Sequence, residues 1–172
     1  MSEANYFALL GLPLAFELDQ AELDSHYREA VRQVHPDRFA GADEQAQRAA
    51  LEQAASLNQA YQVLKSATQR ALYLLNLHSP LDEETTVQDP QFLFQQLEWR
   101  EELETLEQAS DLDAVEAFRT QMQRERKALE QAFAECWQQT AQRSLAERLV
   151  RRMQFFDKLL LQIRELQERL DD

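Results

Sequence analysis

Apolar residues recur at helical spacing along most of the chain, and the breaks in this pattern predict seven helices. A short helix over residues 5–10 ends at Gly11, which readily takes the left-handed conformation found after helix ends. A longer second helix, capped by Asp19, is predicted to run up to His35, and a third over residues 43–65 is followed by a short helix over about residues 68–77. Because the connection between the two longer helices is short, we expect them to pack as an antiparallel hairpin.

The tip of this hairpin contains His35, Pro36 and Asp37, which we call the His-Pro-Asp loop. Pro36 cannot continue the preceding helix, because it lacks a backbone N–H group and its ring clashes with the preceding turn. It also favours an extended conformation for His35. The His35 and Asp37 side chains are therefore expected side by side on the surface. The alternative interpretation is a helix end at which a His and an Asp happen to occur.

Three arginines, Arg28, Arg32 and Arg38, lie near this loop and off the apolar stripe of the second helix. Since the chain as a whole is acidic, these arginines form a candidate basic patch beside the loop. Ordinary surface charge is the alternative interpretation of the same pattern.

The helical periodicity is lost after residue 77 and returns in a fifth helix. Asp89 and Pro90 are a favourable N-cap and first residue for this helix, which runs to about residue 109. Two more helices are predicted over about residues 111–139 and 141–170. Three long helices with short connections predict an antiparallel three-helix bundle.

These elements predict an all-α fold with two domains. The N-terminal domain covers residues 1–77, residues 78–89 form a linker, and the C-terminal bundle covers residues 90–172. In the last helix, six apolar residues are predicted to form the core stripe: Leu145, Leu149, Met153, Phe156, Leu160 and Ile163. Phe155 lies beside the edge of this stripe, where it either completes the core or extends an exposed patch.

The fifth helix carries apolar residues on two opposite sides. With about 100° per residue, one side forms the stripe expected to pack on the bundle: Phe92, Gln96, Trp99, Leu103 and Leu106. The other side carries Leu93, Phe94 and Leu97, with Glu98 and Glu101 beside them. Exposed apolar residues with a polar rim are typical of a partner-binding surface. Burial of this second side by another part of the chain is the alternative.

The strongly negative net charge of the chain limits which kinds of partner it can bind. The 172-residue chain has a formal net charge of −13, which repels the phosphates of nucleic acids and anionic membranes, so we expect neither as a partner. Residues 82–113 contain eleven acidic residues and one base, Arg100. A partner of the fifth helix is therefore expected to carry Lys or Arg at its rim.

The single cysteine, Cys136, excludes an internal disulfide and indicates a reducing compartment. Together with three scattered histidines it lacks the spacing of metal ligands, so we expect Cys136 in the core and no cofactor. The sequence has no recognisable signal or transit peptide, and its apolar clusters are too short to span a bilayer. We therefore expect a cytoplasmic protein.

Several motifs resemble those of a known family. Three segments resemble the J-domain, the module that activates heat-shock chaperones of the DnaK class: Tyr6–Pro13, His35–Phe39 and Leu57–Tyr61. The second half is similar to the HscB family, the J-type co-chaperones dedicated to iron–sulfur cluster assembly. Five segments carry that similarity: Arg70–Leu75, Phe92–Leu93, Gln96–Glu98, Arg100–Leu103 and Phe156–Leu159.

The resemblance implies two protein partners. The His-Pro-Asp loop and the three arginines are expected to contact a DnaK-class chaperone (HscA-type) and to stimulate its ATP hydrolysis. The C-terminal bundle is expected to bind the iron–sulfur scaffold protein (IscU-type) and to present it to that chaperone. The positions that match the family's scaffold contacts are Leu93, Phe94, Leu97, Glu98, Glu101 and Phe155. Thr105 stands where relatives can carry an acidic residue on the same face.

Two other functions compete with this interpretation. An enzyme could use His35 and Asp37 as an acid–base pair, but no nucleophile, glycine-rich phosphate loop or paired-carboxylate pocket accompanies them. A structural adaptor with a degenerate J-like half is the other alternative, and the intact His-Pro-Asp loop argues against it. We therefore expect a monomeric activator of a partner ATPase that is not itself an enzyme.

Overall fold

The computed structural model describes residues 5–81 and 88–172, and all regular secondary structure in these residues is helical. The chain divides into two compact units, Met1–His78 and Ser79–Asp172. The predicted all-α class is therefore confirmed. Of the predicted linker, residues 82–87 lie outside the described residues.

The N-terminal unit is a helical hairpin preceded and followed by a short helix. Its helices are α1 (Tyr6–Leu9), α2 (Gln20–Val34), α3 (Glu44–Lys65) and α4 (Ala67–His78). Helices α2 and α3 form the predicted hairpin, and both α1 and α4 pack on α3. Large buried side chains fill the unit, among them Phe7, Leu23, Leu57, Leu64 and Leu74. Helix α4 extends to His78, a residue that the sequence pattern assigns to the linker.

A polar and aromatic cluster aligns α2 with α3. The rings of Tyr27 and Tyr61 stack with their centroids 4.2 Å apart. The Tyr61 hydroxyl donates a hydrogen bond of 2.8 Å to the Asp24 carboxylate. This bond lowers the pKa of Asp24 and raises the pKa of Tyr61. The hairpin that carries the His-Pro-Asp loop is thus held by side-chain contacts as well as by its apolar stripe.

Gly11 ends α1 in the predicted way. Its φ is +66°, in the left-handed region that favours glycine. The Gly11 N–H donates to the Ala8 carbonyl at 3.1 Å, and the Leu12 N–H donates to the Phe7 carbonyl at 2.8 Å. This pair of bonds is a Schellman motif, which satisfies carbonyls that the helix end would leave without partners.

Arg70 ties three parts of the N-terminal unit together from a buried position on α4. Its Nε donates to the Phe16 carbonyl and its Nη1 to the Leu64 carbonyl, each at 2.6 Å. The guanidinium also lies over the Phe16 ring, 5.1 Å from its centroid. Arg70 therefore connects the end of α3 with the segment between α1 and α2, a role that its place in a sequence motif does not reveal.

The C-terminal unit is a three-helix bundle of α5 (Pro90–Ala109), α6 (Leu112–Cys136) and α7 (Arg143–Asp171). Helices α6 and α7 share the most extensive contact, and α5 packs against both of them. A core cluster joins all three helices: Phe92, Val115, Phe118, Met122, Phe156, Leu159, Ile163 and Leu166. The predicted bundle is therefore confirmed.

Two details of the bundle differ from the sequence prediction. Helix α6 ends at Cys136 rather than about residue 139, because the Gln139 N–H turns back to the Cys136 carbonyl and a short 3₁₀ turn, Thr140–Gln142, precedes α7. Leu145 was predicted in the core stripe of α7 but is 38% exposed. The buried residue in the first turn of α7 is Ala146, so the stripe starts one position later.

Candidate partner-binding surfaces

The His-Pro-Asp loop is exposed at the tip of the hairpin. Helix α2 ends at Val34, and His35 takes the extended conformation expected before a proline, with φ −58° and ψ 137°. Pro36 then begins a 3₁₀ turn, Pro36–Phe39, for which His35 is the N-cap. The His35 and Asp37 side chains are 53% and 93% exposed. The loop therefore presents both polar groups to solvent.

Local contacts bring these two groups close together. The Asp37 backbone N–H donates to Nδ1 of His35 at 3.3 Å, and the same Nδ1 lies 3.5 Å from Oδ2 of Asp37. A neutral imidazole that accepts through Nδ1 carries its proton on Nε2. The loop thus presents an imidazole and a carboxylate side by side to a partner.

Gln47 on α3 supports the segment that follows the loop. Its side-chain amide lies 3.1 Å from the Phe39 carbonyl, 3.4 Å from the Ala40 carbonyl and 3.2 Å from the Ala42 carbonyl, and it donates to them. Asp43 starts α3 by accepting a bond of 2.7 Å from the Ala46 N–H. One side chain therefore anchors the 3₁₀ turn and the following residues to the first turn of α3. Sequence reasoning missed Gln47, because an exposed glutamine on a helix carries no distinguishing pattern.

The three candidate arginines are all exposed, but their charges are not equivalent. Arg32 pairs with Glu29 at 3.1 Å, so its charge is partly compensated. Arg38 donates to the neutral amide of Gln33 at 2.8 Å. Within the described part of the chain, neither Arg28 nor Arg38 has a carboxylate at ion-pair distance. Arg28 and Arg32 lie one turn apart on a face of α2 that leads to the loop.

The two sides of α5 differ in burial as their spacing predicts. Phe92 is 4% exposed, and the other members of its stripe are half-buried. On the opposite side Leu93, Phe94 and Leu97 are 56%, 71% and 49% exposed. Glu98 and Glu101 are exposed beside them. We call these five residues the α5 face, and no helix within residues 88–172 buries it.

Phe155 lies at the border between core and surface. It is half-buried, and its ring centroid lies 5.4 Å from that of Phe92 and 6.0 Å from that of Trp99. The guanidinium of Arg100 lies over the Phe155 ring, 5.9 Å from its centroid. Phe155 therefore does both things that the sequence allowed: it packs on the aromatic residues of the core, and part of its surface stays exposed beside them.

The acidic rim of the α5 face ends at Thr105. The Thr105 hydroxyl donates to the carbonyl of Glu101 one turn earlier, at 3.0 Å. This side chain is therefore engaged with its own helix and contributes no charge. The negative rim consists of the carboxylates that precede it on α5.

An ion pair fixes the start of α5. Asp89 occupies the predicted N-cap position, and its carboxylate interacts with the Phe92 N–H without the geometry of a full cap hydrogen bond. Its carboxylate accepts two bonds from Arg152 of α7, at 2.7 and 2.9 Å. These bonds hold the pKa of Asp89 below its usual range. The Arg152 guanidinium also stacks over Phe92, 4.9 Å from the ring centroid. The first turn of α5, which bears Leu93 and Phe94, is therefore tied to α7.

The same residues bear on metal binding and membrane insertion. No group of three or more His, Cys, Asp and Glu side chains in residues 5–81 and 88–172 is arranged to hold a metal ion. No helix among those residues is long and apolar enough to cross a membrane. Cys136 is buried, and burial raises the pKa of its thiol.

Comparisons with known proteins match both halves of the chain. The family model of the DnaJ domain matches residues 5–73, and that of the HSCB C-terminal oligomerisation domain matches residues 88–171. The solved structure of the chaperone HscB from Vibrio cholerae is 36% identical with a TM-score of 0.84, and the match covers 96% of this chain and 99% of that chain.

Two more distant structures share the fold. The human co-chaperone protein HscB is 24% identical with a TM-score of 0.83, covering 95% of this chain and 82% of that chain. The Jac1 co-chaperone from Saccharomyces cerevisiae is 23% identical with a TM-score of 0.73, covering 96% and 95%. At these identities the two structures support the fold alone.

The hairpin with an exposed His-Pro-Asp tip, within the residues that match the DnaJ domain, defines a J-domain protein. The C-terminal match and the similarity to the Vibrio cholerae protein narrow this class further. The chain belongs to the HscB family of J-domain co-chaperones, which act in iron–sulfur cluster assembly. Co-chaperones of this kind regulate the ATPase of an Hsp70-type partner rather than act as catalysts themselves.

Proposed function

We propose that this chain binds an IscU-type scaffold protein, delivers it to an HscA-type chaperone of the DnaK class and stimulates that chaperone's ATP hydrolysis, which promotes cluster maturation and transfer. In this proposal residues 1–77 act as the J-domain and residues 90–172 bind the scaffold. The observation that carries it is the α5 face, with three large apolar side chains exposed on the side of the helix turned away from the core.

The α5 face is suited to a protein partner in both its apolar and its charged groups. Full burial of one Leu or Phe side chain contributes about 1.5–3 kcal/mol, so Leu93, Phe94 and Leu97 supply the core of an interface. Glu98 and Glu101 at its rim favour a partner with Lys or Arg and disfavour acidic surfaces. Phe155 adds an aromatic edge on the α7 side.

The His-Pro-Asp loop is proposed to act on the chaperone. Its contacts must favour the hydrolysis-competent conformation of the chaperone's ATP state, because a ligand shifts an equilibrium only through different affinities for the two states. The adjacent imidazole of His35 and carboxylate of Asp37 supply exposed polar groups for such contacts. Arg28, Arg32 and Arg38 add positive charge for an acidic surface of the chaperone.

His35→Gln tests the chaperone half of the proposal. We expect this variant to lose ATPase stimulation while its helicity and melting temperature stay unchanged, because His35 is exposed and outside the core. His78→Gln is a matched control at another exposed histidine and should stimulate normally. Full stimulation by His35→Gln would contradict the proposal and favour an adaptor whose J-domain binds no chaperone.

Leu97→Ala and Phe94→Ala test the scaffold half. We expect each variant to bind the scaffold at least about tenfold more weakly in calorimetric titration, with an unchanged circular dichroism spectrum. Leu161→Ala removes a similarly exposed leucine from α7 and serves as the control. If both α5 variants unfold, the face is part of the core and the assignment is wrong.

A further inference from the structure

An open groove of about 410 Å³ adjoins the α5 face at the start of the helix. Pro90, Phe92 and Leu93 line it from α5, and Arg151 and Arg152 line it from α7. Leu93 therefore belongs both to the α5 face and to the wall of the groove. The apolar surface available to a partner continues from the α5 face toward α7.

The charged residues that line the groove are Asp89, Arg151 and Arg152. Arg152 is engaged with the Asp89 carboxylate, so the two charges compensate each other. Arg151 is exposed and donates to the neutral amide of Gln154 at 3.1 Å. Among residues 88–172 no carboxylate lies at ion-pair distance from Arg151. One end of the surface therefore carries an uncompensated guanidinium, and the other end carries Glu98 and Glu101.

We infer that the groove binds a second part of the same scaffold protein, in which an aliphatic side chain enters beside Leu93 and a neighbouring carboxylate pairs with Arg151. This inference rests on the proposed function. It also predicts the order in which charged and apolar groups follow one another on the scaffold surface. The scaffold surface carries an acidic group, then apolar groups, then Lys or Arg opposite Glu98 and Glu101. A scaffold bound in the reverse direction would place like charges against each other at both ends, which is unfavourable.

Arg151→Gln and Arg151→Glu test this inference in calorimetric titrations with the apo scaffold protein. We expect Arg151→Gln to weaken binding about threefold or more and Arg151→Glu at least about tenfold at low salt, and raising the salt should shrink the loss. Arg164→Glu is the matched control, because it makes the same charge change on an exposed position of α7 about 20 Å further along the helix. Its affinity should stay within about twofold of the wild type.

Leu97→Ala, measured in the same series, distinguishes failure of the groove inference from failure of the proposed scaffold site. If Leu97→Ala loses binding while both Arg151 variants bind like the wild type, the α5 face stands and the groove inference is wrong. If Leu97→Ala binds normally, the proposed scaffold site itself is wrong. A loss in Arg164→Glu as large as that in Arg151→Glu would show a general effect of net charge and would also overturn the inference.

Discussion

At the scale of single residues, the ion pair of Asp89 and Arg152 ties the start of α5 to α7. The Asp89 side chain is 16% exposed and that of Arg152 is 27% exposed, so solvent screens their attraction only partly. Removal of one partner would leave the other charge partly buried without compensation. Loss of the pair is therefore expected to weaken the bundle at the start of α5, next to Leu93 and Phe94.

Asp89→Asn is predicted to lower the free energy of unfolding by about 1–3 kcal/mol at neutral pH. Because the folded protein lowers the pKa of Asp89, the stabilisation is present above the ordinary carboxyl range and is lost as the pH falls through the folded value. The variant should therefore lose less stability than the wild type between neutral pH and pH values below about 4. Denaturant titrations across this range measure the difference.

Asp171→Asn, at an exposed position near the end of α7, is the control for this pH dependence. It should keep the wild-type profile. If Asp89→Asn and Asp171→Asn lost acid-dependent stability equally, the ion pair would not be the cause.

At the scale of elements, α5 has one side that stabilises the bundle and another that is free for a partner. Phe92 and Phe94 are the same residue type two positions apart, with exposures of 4% and 71%. Phe92 contacts the rings of Trp99, Phe155 and Phe156. Substitution at these two positions therefore compares the effect of a buried and of an exposed phenylalanine of the same helix on stability and on binding.

Phe92→Ala is predicted to cost about 3–5 kcal/mol of stability, because it leaves a cavity in the core cluster. Phe94→Ala should change the stability by no more than about 0.5 kcal/mol. Equilibrium unfolding in urea measures both values. Similar losses for the two variants would mean that the burial assigned to the two sides of α5 is wrong.

Gln47→Ala is predicted to lower ATPase stimulation several-fold at subsaturating co-chaperone, with little change in melting temperature. The variant loses the side-chain bonds that anchor the 3₁₀ turn behind the His-Pro-Asp loop, so the loop samples more conformations and docking costs more entropy. Gln45→Ala, at an exposed position in the same turn of α3, should behave like the wild type. Equal stimulation by both variants would show that this anchor has no part in docking.

The elements that the sequence predicts well are those that depend on periodicity. The two sides of α5 follow from a fixed rotation per residue, and the end of α2 follows from the covalent structure of Pro36. The end of α6 was misplaced, because Gln138 and Gln139 are compatible with a helix and a turn alike. The local pattern predicted Asp89 as the N-cap of α5, but it could not reveal the ion pair with Arg152, which lies 63 residues away.

At the scale of the whole molecule, the surfaces proposed to bind the chaperone and the scaffold lie on separate compact units of one chain. A protein that holds the scaffold on one unit and contacts the chaperone with the other raises the local concentration of scaffold at the chaperone. The net charge of −13 also gives long-range attraction to a scaffold with a basic rim.

The association rate constant with the scaffold is predicted to fall as ionic strength rises, because salt screens this attraction. The dissociation rate constant should change less, since buried apolar contacts contribute most of the short-range binding energy. Stopped-flow mixing at several salt concentrations measures both constants. An association rate independent of salt would contradict a role for the acidic rim.

The most direct measurement is the ATPase rate of the DnaK-class chaperone at low scaffold concentration, with wild type, Leu97→Ala or His35→Gln as co-chaperone. We predict that scaffold increases the rate in the presence of wild type, that Leu97→Ala stimulates alone but loses this increase, and that His35→Gln gives no stimulation in either case. If scaffold increased the rate equally with wild type and Leu97→Ala, the α5 face would not deliver the scaffold to the chaperone.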